Sequence, residues 1–310
     1  MSSTILFFTF LVSILFIVGF QKYFISKGFV DSINKRSSHT KIATRSGGAA
    51  IASTIFIISF YNYFIGNTIY DYSIIVPLGL LTVVGLYDDL FNIDFKLKFL
   101  FQIIAAKIII DNGFLIDNFH GVFGVFELNR IVAQLITIFI ITAIINAINF
   151  IDGIDGLAIT IVSLFIFLFE SFSIVQTPLY NLSLILLTSI MPLYYFNFKK
   201  NNKVFLGDSG SLFLGTISSI YIIHILTNDY IIKENFDLHK ILFVISIFVY
   251  PIADIIRIFF IRIISGKSPF IADKNHIHHI ILAKLKSHHL TVIIIFLLSL
   301  TVTIITQLIF

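Results

Sequence analysis

Small polar residues and glycines interrupt the apolar sequence at 146–158, which reads NAINFIDGIDGLA. Asn149, Asp152 and Asp155 recur at every third position, so on a helical turn they would share one face. The glycine after each aspartate lets a backbone or a ligand come close. Helix capping would explain one of the acids but not a repeated Asp-Gly pair. Because carboxylates are costly in an apolar segment, the pattern indicates a binding or catalytic site.

Two further acidic clusters lie at the edges of apolar runs. Asp88 and Asp89 are adjacent in YDDLFN, and Asp208 stands between glycine and serine in GDSGS. Adjacent carboxylates repel each other unless a cation lies near, and Mg²⁺ takes one or two carboxylates together with substrate phosphates. At a helix start, Asp208 would lie beside backbone N–H groups that favour an anion or a metal-bound phosphate. The alternative in both places is an ordinary solvated or capped helix terminus.

Basic side chains that could bind phosphate lie in the stretch RSSHTKIATRSGG. The candidates are Arg36, His39 and Arg45, and the paired glycines would let the next helix start close to a ligand. The alternative is that these cations only anchor a loop on the cytoplasmic side of a membrane.

A histidine cluster, HIHH, contains His276, His278 and His279. It lacks the i, i+4 spacing of helical zinc sites. Imidazoles that donate hydrogen bonds to phosphate are therefore the favoured interpretation of all three. The later pair, His288 and His289, is expected to be interfacial and to have no part in the site.

The composition places all of these clusters in a membrane protein. Of the 310 residues, 57% are hydrophobic and only 12% are charged, whereas a soluble domain carries about a quarter charged residues. The chain has no cysteine, so disulfide and thiol chemistry are excluded. We predict an all-α integral membrane protein, one domain over residues 1–310, with ten transmembrane helices. The predicted spans are 4–24, 47–66, 73–91, 97–113, 130–147, 156–175, 180–197, 210–227, 240–261 and 290–309.

The loops between these spans fall into two sets that differ in charge. One set contains 17 of the 21 Lys and Arg residues and all of the polar clusters. An excess of Lys and Arg marks the cytoplasmic side of a membrane protein. This division accounts for the basic pI of 9.1 without nucleic acid as a partner. It also predicts both termini on the outer (periplasmic) side and the active site on the cytoplasmic face.

Together the clusters supply carboxylates for a divalent cation and basic groups for phosphates at one membrane face. This combination fits phosphoryl transfer from a soluble polyanionic donor to an acceptor that lies in the lipid. A transporter of an anionic solute is the alternative from another class. Carriers place ionisable residues near the membrane midplane, whereas here these residues gather at the predicted cytoplasmic helix ends.

The motifs DDLFN, NAINFIDGIDGLA, GDSGS and HIHH, in this order, resemble those of the polyprenyl-phosphate N-acetylhexosamine-1-phosphate transferases (glycosyltransferase family 4), over nearly the whole chain. The resemblance implies a ten-helix membrane fold. It also implies transfer of HexNAc-1-phosphate from a UDP-sugar to undecaprenyl phosphate, with release of UMP. Mg²⁺ is the implied cofactor, with Mn²⁺ as a substitute, and the bacterial cytoplasmic (inner) membrane is the implied location. A homodimer is compatible with these residues but not indicated by them.

Within that family, HIHH, RSSH and the length of 310 residues resemble the initiators of O-antigen, teichoic acid or other surface polysaccharide synthesis. RSSH is similar to the subgroup that uses 6-deoxy-HexNAc donors, whereas HIHH is similar to the subgroup that uses UDP-GlcNAc. The alternative within the family is a peptidoglycan-type phospho-MurNAc-pentapeptide transferase.

The resemblance also implies roles for the acids of the DDLFN and GDSGS motifs. Asp88 would deprotonate the lipid phosphate, with Asp89 as its partner near the metal, and Asp208 would be the magnesium ligand. Direct attack by the lipid phosphate and a covalent intermediate on an aspartate both stay open.

Contacts with the donor are implied for the remaining motifs. The three HIHH imidazoles would meet the diphosphate, and an aromatic ring would stack on uracil. The residues that match the uridine and donor-orienting positions are Asn149, Asp152, Asp155, Asn197 and the stacking residue Phe205. The segment NFKKNNKVF lacks the Pro-Ala that usually follows the asparagine, so Asn197 is the least direct match.

Overall fold

The computed structural model describes residues 1–31, 42–119, 121–173, 176–227, 238–266 and 276–309. Within these ranges the chain forms α-helices joined by short connections, with one pair of two-residue strands. The helices are α1 Ser3–Ser26, α2 Gly47–Phe64, α3 Ile75–Phe91, α4 Phe95–Asp111, α5 Arg130–Ile151, α6 Leu157–Phe172, α7 Tyr180–Phe198, α8 Gly207–Thr227, α9 Leu238–Ile247, α10 Val249–Ile264, α11 Ile277–Leu285 and α12 His288–Ile309; the strands are β1 Ala43–Thr44 and β2 Lys203–Val204.

Each of the ten predicted spans contains a helix or a bent helix pair. In the described part of the chain, seven helices are long and apolar enough to cross a membrane, or eight if α9 and α10 form one span. Helix α6 has 16 residues and α4 has 17 with three lysines, fewer than the roughly 20 apolar residues that span a bilayer. The prediction of an all-α multi-pass membrane protein is confirmed, and the count of ten crossings stays a prediction.

The two short strands tie together loops that are far apart in sequence. Strand β1 pairs with β2 in parallel, with Ala43 opposite Lys203 and Thr44 opposite Val204. The backbone pairing continues into the next helix, because the first N–H groups of α2 donate to the carbonyls of residues 205 and 206. Since the first turn of a helix has no carbonyl partners of its own, this loop satisfies α2 while it fixes the segment before α8.

Helix α8 is the most buried of the helices long enough to span a membrane, and it packs against α2, α3 and α5. Its first turn crosses α2 where Gly48 meets Gly210, so closely that a Cβ on Gly48 would lie 1.9 Å from the Gly210 nitrogen. On α3, a Cβ on Gly85 would lie 2.4 Å from the Asp208 carbonyl oxygen. Small residues permit such backbone contact between membrane helices, and here they hold Asp208 against two neighbouring helices.

Helices α9 and α10 meet at a bend of 74° next to Phe248. Pro251 lies three residues after the bend, and a proline ring clashes with the carbonyl four residues earlier in a continuous helix. That carbonyl belongs to Ile247, the last residue of α9. The bend is therefore explained by the steric clash of the proline ring, and it directs α10 toward α5 and α12.

We predict that Gly48→Ala prevents correct assembly of α2 on α8. The added methyl group would occupy the same space as the Gly210 backbone, which cannot move as a flexible side chain can, so a loss of about 3 kcal/mol or more is expected. The yield of monodisperse protein from detergent extracts measures the effect. Gly19→Ala is the matched control, since a Cβ at that position in α1 meets nothing within 4 Å. Equal yields of the two variants would contradict the proposed backbone contact.

Candidate active site

Four elements that are distant in sequence bring charged and amide groups together at one end of the bundle. Asp208, in the first turn of α8, accepts a hydrogen bond from Asn149 Nδ2 at 2.6 Å through Oδ1. Its Oδ2 lies 3.0 Å from Nζ of Lys98, at the start of α4. The same ammonium group forms an ion pair with Asp88 at the end of α3. Two of the predicted acids and the predicted asparagine thus form one cluster around a lysine.

Lys98 is the member of this cluster that the sequence interpretation missed. The sequence places it ten residues after Asp88, in the first turn of a helix, where it counted only as a cytoplasmic positive charge. In the structure its side chain is largely buried between two carboxylates. A fixed cation there reduces the repulsion that Asp88 and Asp208 would otherwise exert on each other.

Asp89 faces the backbone of α8 and performs a different task from Asp88. Its Oδ1 accepts the N–H of Asp208 and its Oδ2 accepts the N–H of Ser209, both at 2.9 Å. The carboxylate therefore caps the N-terminus of α8 from another helix and lies at the positive end of the helix dipole. In the structure Asp89 positions Asp208. Its predicted role beside a metal stays a prediction.

Asp155, in the turn after α5, is buried and neutralised by Lys203, with the imidazole of His288 beside it as a hydrogen-bond acceptor. It forms an ion pair with Lys203 of β2 and lies 3.3 Å from Nδ1 of His288. The same imidazole nitrogen accepts the backbone N–H of Asp155 at 3.2 Å. The expectation that His288 is interfacial and has no part in the site is therefore wrong. Its separation of 133 residues from Asp155 left no sequence signal for this contact.

Asp152 lies in the same turn and is surrounded by other acids. Burial raises its pKa well above the usual range, and the negative charges of Asp208, Asp89 and Asp155 raise it further, while Arg45 opposes the shift. A carboxyl group in this environment binds a proton or a cation readily. Asp152 is thus ready to contact a hydrogen-bond donor or a cationic group of a ligand.

Asn197 and Phe205 border the loop that leads into α8. Asn197 is buried and donates from Nδ2 to the Val204 carbonyl at 2.9 Å, so it fixes the path of β2. Its Oδ1 is buried and has no hydrogen-bond partner in the part of the chain that the structure describes. The Phe205 ring is half-buried and lies 6.0 Å from Nζ of Lys203. The ring has the partial exposure that stacking on a planar ligand requires.

The histidine segment, residues 276–279, packs directly on the Asp-Gly turn. His278 is fully buried, and its Nδ1 shares a hydrogen bond with the Tyr250 hydroxyl. A Cβ on Gly153 would lie 3.2 Å from His278 Nε2 and 3.3 Å from His279 Cε1. The glycine therefore permits the contact between two motifs that are more than 120 residues apart. His276 stacks on His278 with ring centroids 5.3 Å apart.

The remaining predicted residues are Arg45, Arg36 and His39, of which the structure describes only the first. Arg45 pairs with Asp31 at 2.8 Å, and its positive charge also acts on the acids of the cluster. Arg36 and His39 lie outside the described residues. His289, expected to be interfacial, instead stacks on Phe198 at a centroid distance of 4.1 Å.

The donor groups can be compared with what Mg²⁺ requires. Within the described residues, no group of three or more acidic or histidine side chains could hold a metal ion. Mg²⁺ needs only one or two carboxylates when substrate phosphates and water complete its shell. Asp88 and Asp208 both pair with the ammonium group of Lys98 in the structure, and their two carboxylates fit that donor set. Asp89 fits less well, because both of its oxygens accept backbone N–H groups of α8. Asp88 accepts only one backbone N–H, and its Oδ2 pairs with the Lys98 side chain, which a metal ion could displace.

The chain is similar to known proteins of one family. The model for Glycosyl transferase family 4 matches residues 72–226. A Bacillus subtilis protein named as a probable undecaprenyl-phosphate N-acetylglucosaminyl 1-phosphate transferase is 34% identical over 281 residues, which cover 88% of this chain and 75% of the relative. A Mycolicibacterium smegmatis decaprenyl-phosphate N-acetylglucosaminephosphotransferase is 30% identical, covering 87% and 72%. A Yersinia pestis undecaprenyl-phosphate alpha-N-acetylglucosaminyl 1-phosphate transferase is 29% identical, covering 90% and 76%.

We predict that acid weakens the fold through His278. Burial, reinforced by the neighbouring His279 and His276, lowers the pKa of His278 to about 3, whereas an unfolded histidine has a pKa of about 6.5. The neutral ring is therefore favoured in the fold, and stability is lost as the pH falls below about 6.5. Between pH 7.5 and pH 5 the loss is on the order of 2 kcal/mol.

Thermal unfolding in detergent micelles at these two pH values measures this loss. His278→Gln keeps a hydrogen-bonding side chain but removes the titration, so its melting temperature should fall less between pH 7.5 and pH 5 than that of the wild type. An equal fall in both proteins would show that His278 is not the group responsible.

Proposed function

Because this chain belongs to glycosyl transferase family 4, we propose that it transfers HexNAc-1-phosphate from a UDP-sugar to undecaprenyl phosphate. The products are undecaprenyl-diphosphate-HexNAc and UMP. The observation that carries the proposal is the cluster of Asp88, Lys98, Asn149 and Asp208 at one end of a membrane bundle. Charges fixed in this way are suited to stabilising a phosphoryl group in transfer.

The reaction forms one bond and breaks one bond at the phosphorus that bears the sugar. A phosphate oxygen of the lipid attacks this phosphorus, and the phosphoanhydride bond to UMP breaks. We assign Asp88 as the group that accepts the proton of the lipid phosphate. The N–H of Ile93 and the ammonium group of Lys98 fix the orientation of its carboxylate at the end of α3. The alternative, in which an aspartate first forms a covalent intermediate, uses the same residues.

Asp208 and Asp88 would hold a divalent cation, Mg²⁺ or Mn²⁺ in its place, with the donor phosphates and water completing its shell. When bound, it would neutralise charge that develops on the phosphate oxygens. Asn149 fixes one oxygen of Asp208 by its hydrogen bond, and Asp89 holds the backbone from which Asp208 projects. The chain thus fixes the carboxylate before any substrate binds, which avoids reorganisation during the reaction.

UDP-GlcNAc is the donor that we propose. The three relatives named above carry N-acetylglucosamine in their names, which favours it over a 6-deoxy-HexNAc or a peptidoglycan precursor. The half-buried Phe205 offers a ring for uracil, and Asp152 offers a carboxyl group for donor N–H or O–H groups. We assign the diphosphate contact to His276 and His279, which are partly exposed on the same turn. His278 is fully buried, so the prediction that it also meets the diphosphate is not supported.

We also propose that the cluster faces the cytoplasm of the bacterial inner membrane. The ends of α3 and α5 and the starts of α4 and α8 all lie on the side that carries most of the Lys and Arg residues. A UDP-sugar is soluble and would reach this site from the cytoplasm, while the acceptor phosphate would reach it from the lipid. Ten crossings, with both termini on the outer side, complete this proposal; α4 and α6 would then cross as short helices.

A product made here would initiate a cell-surface polysaccharide such as O-antigen or teichoic acid.

A transporter of an anionic solute is less well supported. The charged cluster lies at helix ends, and the described middle of α8 between Leu212 and Ile223 has no charged side chain. Carriers instead place their binding groups near the membrane midplane.

The proposed activity is tested with purified protein in detergent, undecaprenyl phosphate, Mg²⁺ and a panel of UDP-sugars. We expect lipid-linked diphosphate sugar and equimolar UMP with UDP-GlcNAc, and loss of both when EDTA is added. Asp208→Asn should lose at least about a hundredfold in kcat, because an amide neither holds the cation nor balances Lys98. Absence of product with every donor would rule out the transferase.

We predict that Lys98→Met lowers kcat at least about a hundredfold, because the fixed charge between Asp88 and Asp208 is removed. Lys107→Met is the matched control on the same helix. Lys107 is exposed, and within the described ranges its one ion pair is with Asp111 at the opposite end of the helix. The initial rate of UMP release measures both variants. If Lys98→Met keeps more than half of the wild-type rate, the lysine is not part of the site.

A further inference from the structure

A buried carboxylate outside the acidic cluster holds the start of the histidine segment. Asp254 on α10 is 2% exposed, and its Oδ2 lies 2.7 Å from Nδ1 of His276. Its Oδ1 accepts the backbone N–H of Ile277 and a guanidinium N–H of Arg257, both at 2.9 Å. Burying a carboxylate is costly unless its oxygens are paired. Two of its three donors belong to the histidine segment, so the pairing also fixes that segment.

One face of α10 holds two of the histidines. Tyr250 and Asp254 are four residues apart and therefore lie above one another on the helix. Tyr250 contacts Nδ1 of His278, as Asp254 contacts Nδ1 of His276. The two imidazoles stack at 5.3 Å, and the Phe150 ring also stacks on His276, at a centroid distance of 6.1 Å. His276 is thus held by a hydrogen bond at Nδ1 and by two stacked rings, so its orientation is fixed before a ligand arrives.

The carboxylate also decides where the proton of His276 lies. An ionised carboxylate can only accept a hydrogen bond, so Nδ1 of His276 carries the proton between them. The other ring nitrogen, Nε2, is then the one that can take up a proton from water and donate it in a hydrogen bond to a phosphate oxygen. Carboxylates fix the tautomer and orientation of imidazoles in this way in metal sites and catalytic triads.

We propose that Asp254 is a positioning residue for the transfer reaction, which keeps the proton of His276 on Nδ1 and presents Nε2 to the diphosphate. This inference rests on the proposed function, because it assigns His276 to the diphosphate. It adds a residue from α10 that touches neither substrate and acts only through the histidine segment. The bend between α9 and α10 has a role in this scheme, because it brings α10 to the site.

The test uses an isosteric substitution. In Asp254→Asn the amide oxygen can still accept the Ile277 N–H, but the amide nitrogen faces Nδ1 of His276 and can only donate to it. The proton of His276 must then move to Nε2. We expect kcat for UDP-GlcNAc and undecaprenyl phosphate to fall at least about thirtyfold, while the Kd of UDP-GlcNAc measured by calorimetry changes less than about threefold. Glu170→Gln is the matched control and should retain wild-type rates. Glu170 is a partly buried carboxylate on α6 that accepts hydrogen bonds from Thr177 and Ser183.

Two further measurements separate positioning from simple structural support. In a His276→Ala background, Asp254→Asn should lower kcat by less than about a further threefold. In a Phe205→Leu background, Asp254→Asn should lower kcat by the same factor as in the wild type. Nitrogen-15 NMR of histidine-labelled protein in nanodiscs should show protonated Nδ1 at His276 in the wild type and protonated Nε2 in Asp254→Asn. The His276→Gln spectrum assigns the resonance.

The NMR result does not depend on turnover, so it separates this inference from the proposed function. An unchanged tautomer in Asp254→Asn would overturn the inference even if the enzyme is a transferase. Equal losses from Asp254→Asn with and without His276 would also overturn it. A tautomer change in a protein that transfers no sugar phosphate would refute the proposed function and, with it, the presentation of Nε2 to a diphosphate.

Discussion

The contact between the first turn of α8 and its two neighbours is the constraint on which the site depends. Backbone touches backbone where Gly48 meets Gly210 and where Gly85 meets the Asp208 carbonyl. Asp89 then caps the same turn with both carboxylate oxygens. Without a hydrophobic driving force between helices in lipid, close packing and interhelical hydrogen bonds must supply the association. The same contacts that assemble the bundle therefore place Asp208, and a change there affects fold and chemistry together.

Charge balance explains why the acids can stay close to one another. Asp88 and Asp208 share Lys98, and Asp155 is paired with Lys203. Asp152 lacks a comparable ion pair among the described residues, and burial together with the neighbouring negative charges raises its pKa. The site is thus partly neutralised by its own lysines, and the remaining negative charge favours a bound cation. Phosphates of a donor can then approach without strong repulsion.

The histidine segment shows a second way of fixing a site, through a helix that lies outside it. A proline-induced break turns α10 toward the site, and two side chains one turn apart hold alternate histidines. Gly153 gives the segment a close contact on the Asp-Gly turn. Rigid placement of imidazoles reduces the entropy that must be lost when a ligand binds. The segment and the acidic cluster are built independently and meet across one turn.

The sequence alone determined the membrane class, the helical segments and the acids at the helix ends, because hydropathy and the cost of charge in lipid are local properties. It also indicated which motifs belong together, through their resemblance to one family. Only the tertiary structure decided the partners. Lys98, Asp254 and His288 carry no local signal, since each acquires its role from a contact that forms only in the folded chain. The division of labour between Asp88 and Asp89 likewise depends on which side of α3 faces α8. Adjacent residues of one helix point in different directions, and the sequence does not show what each direction meets.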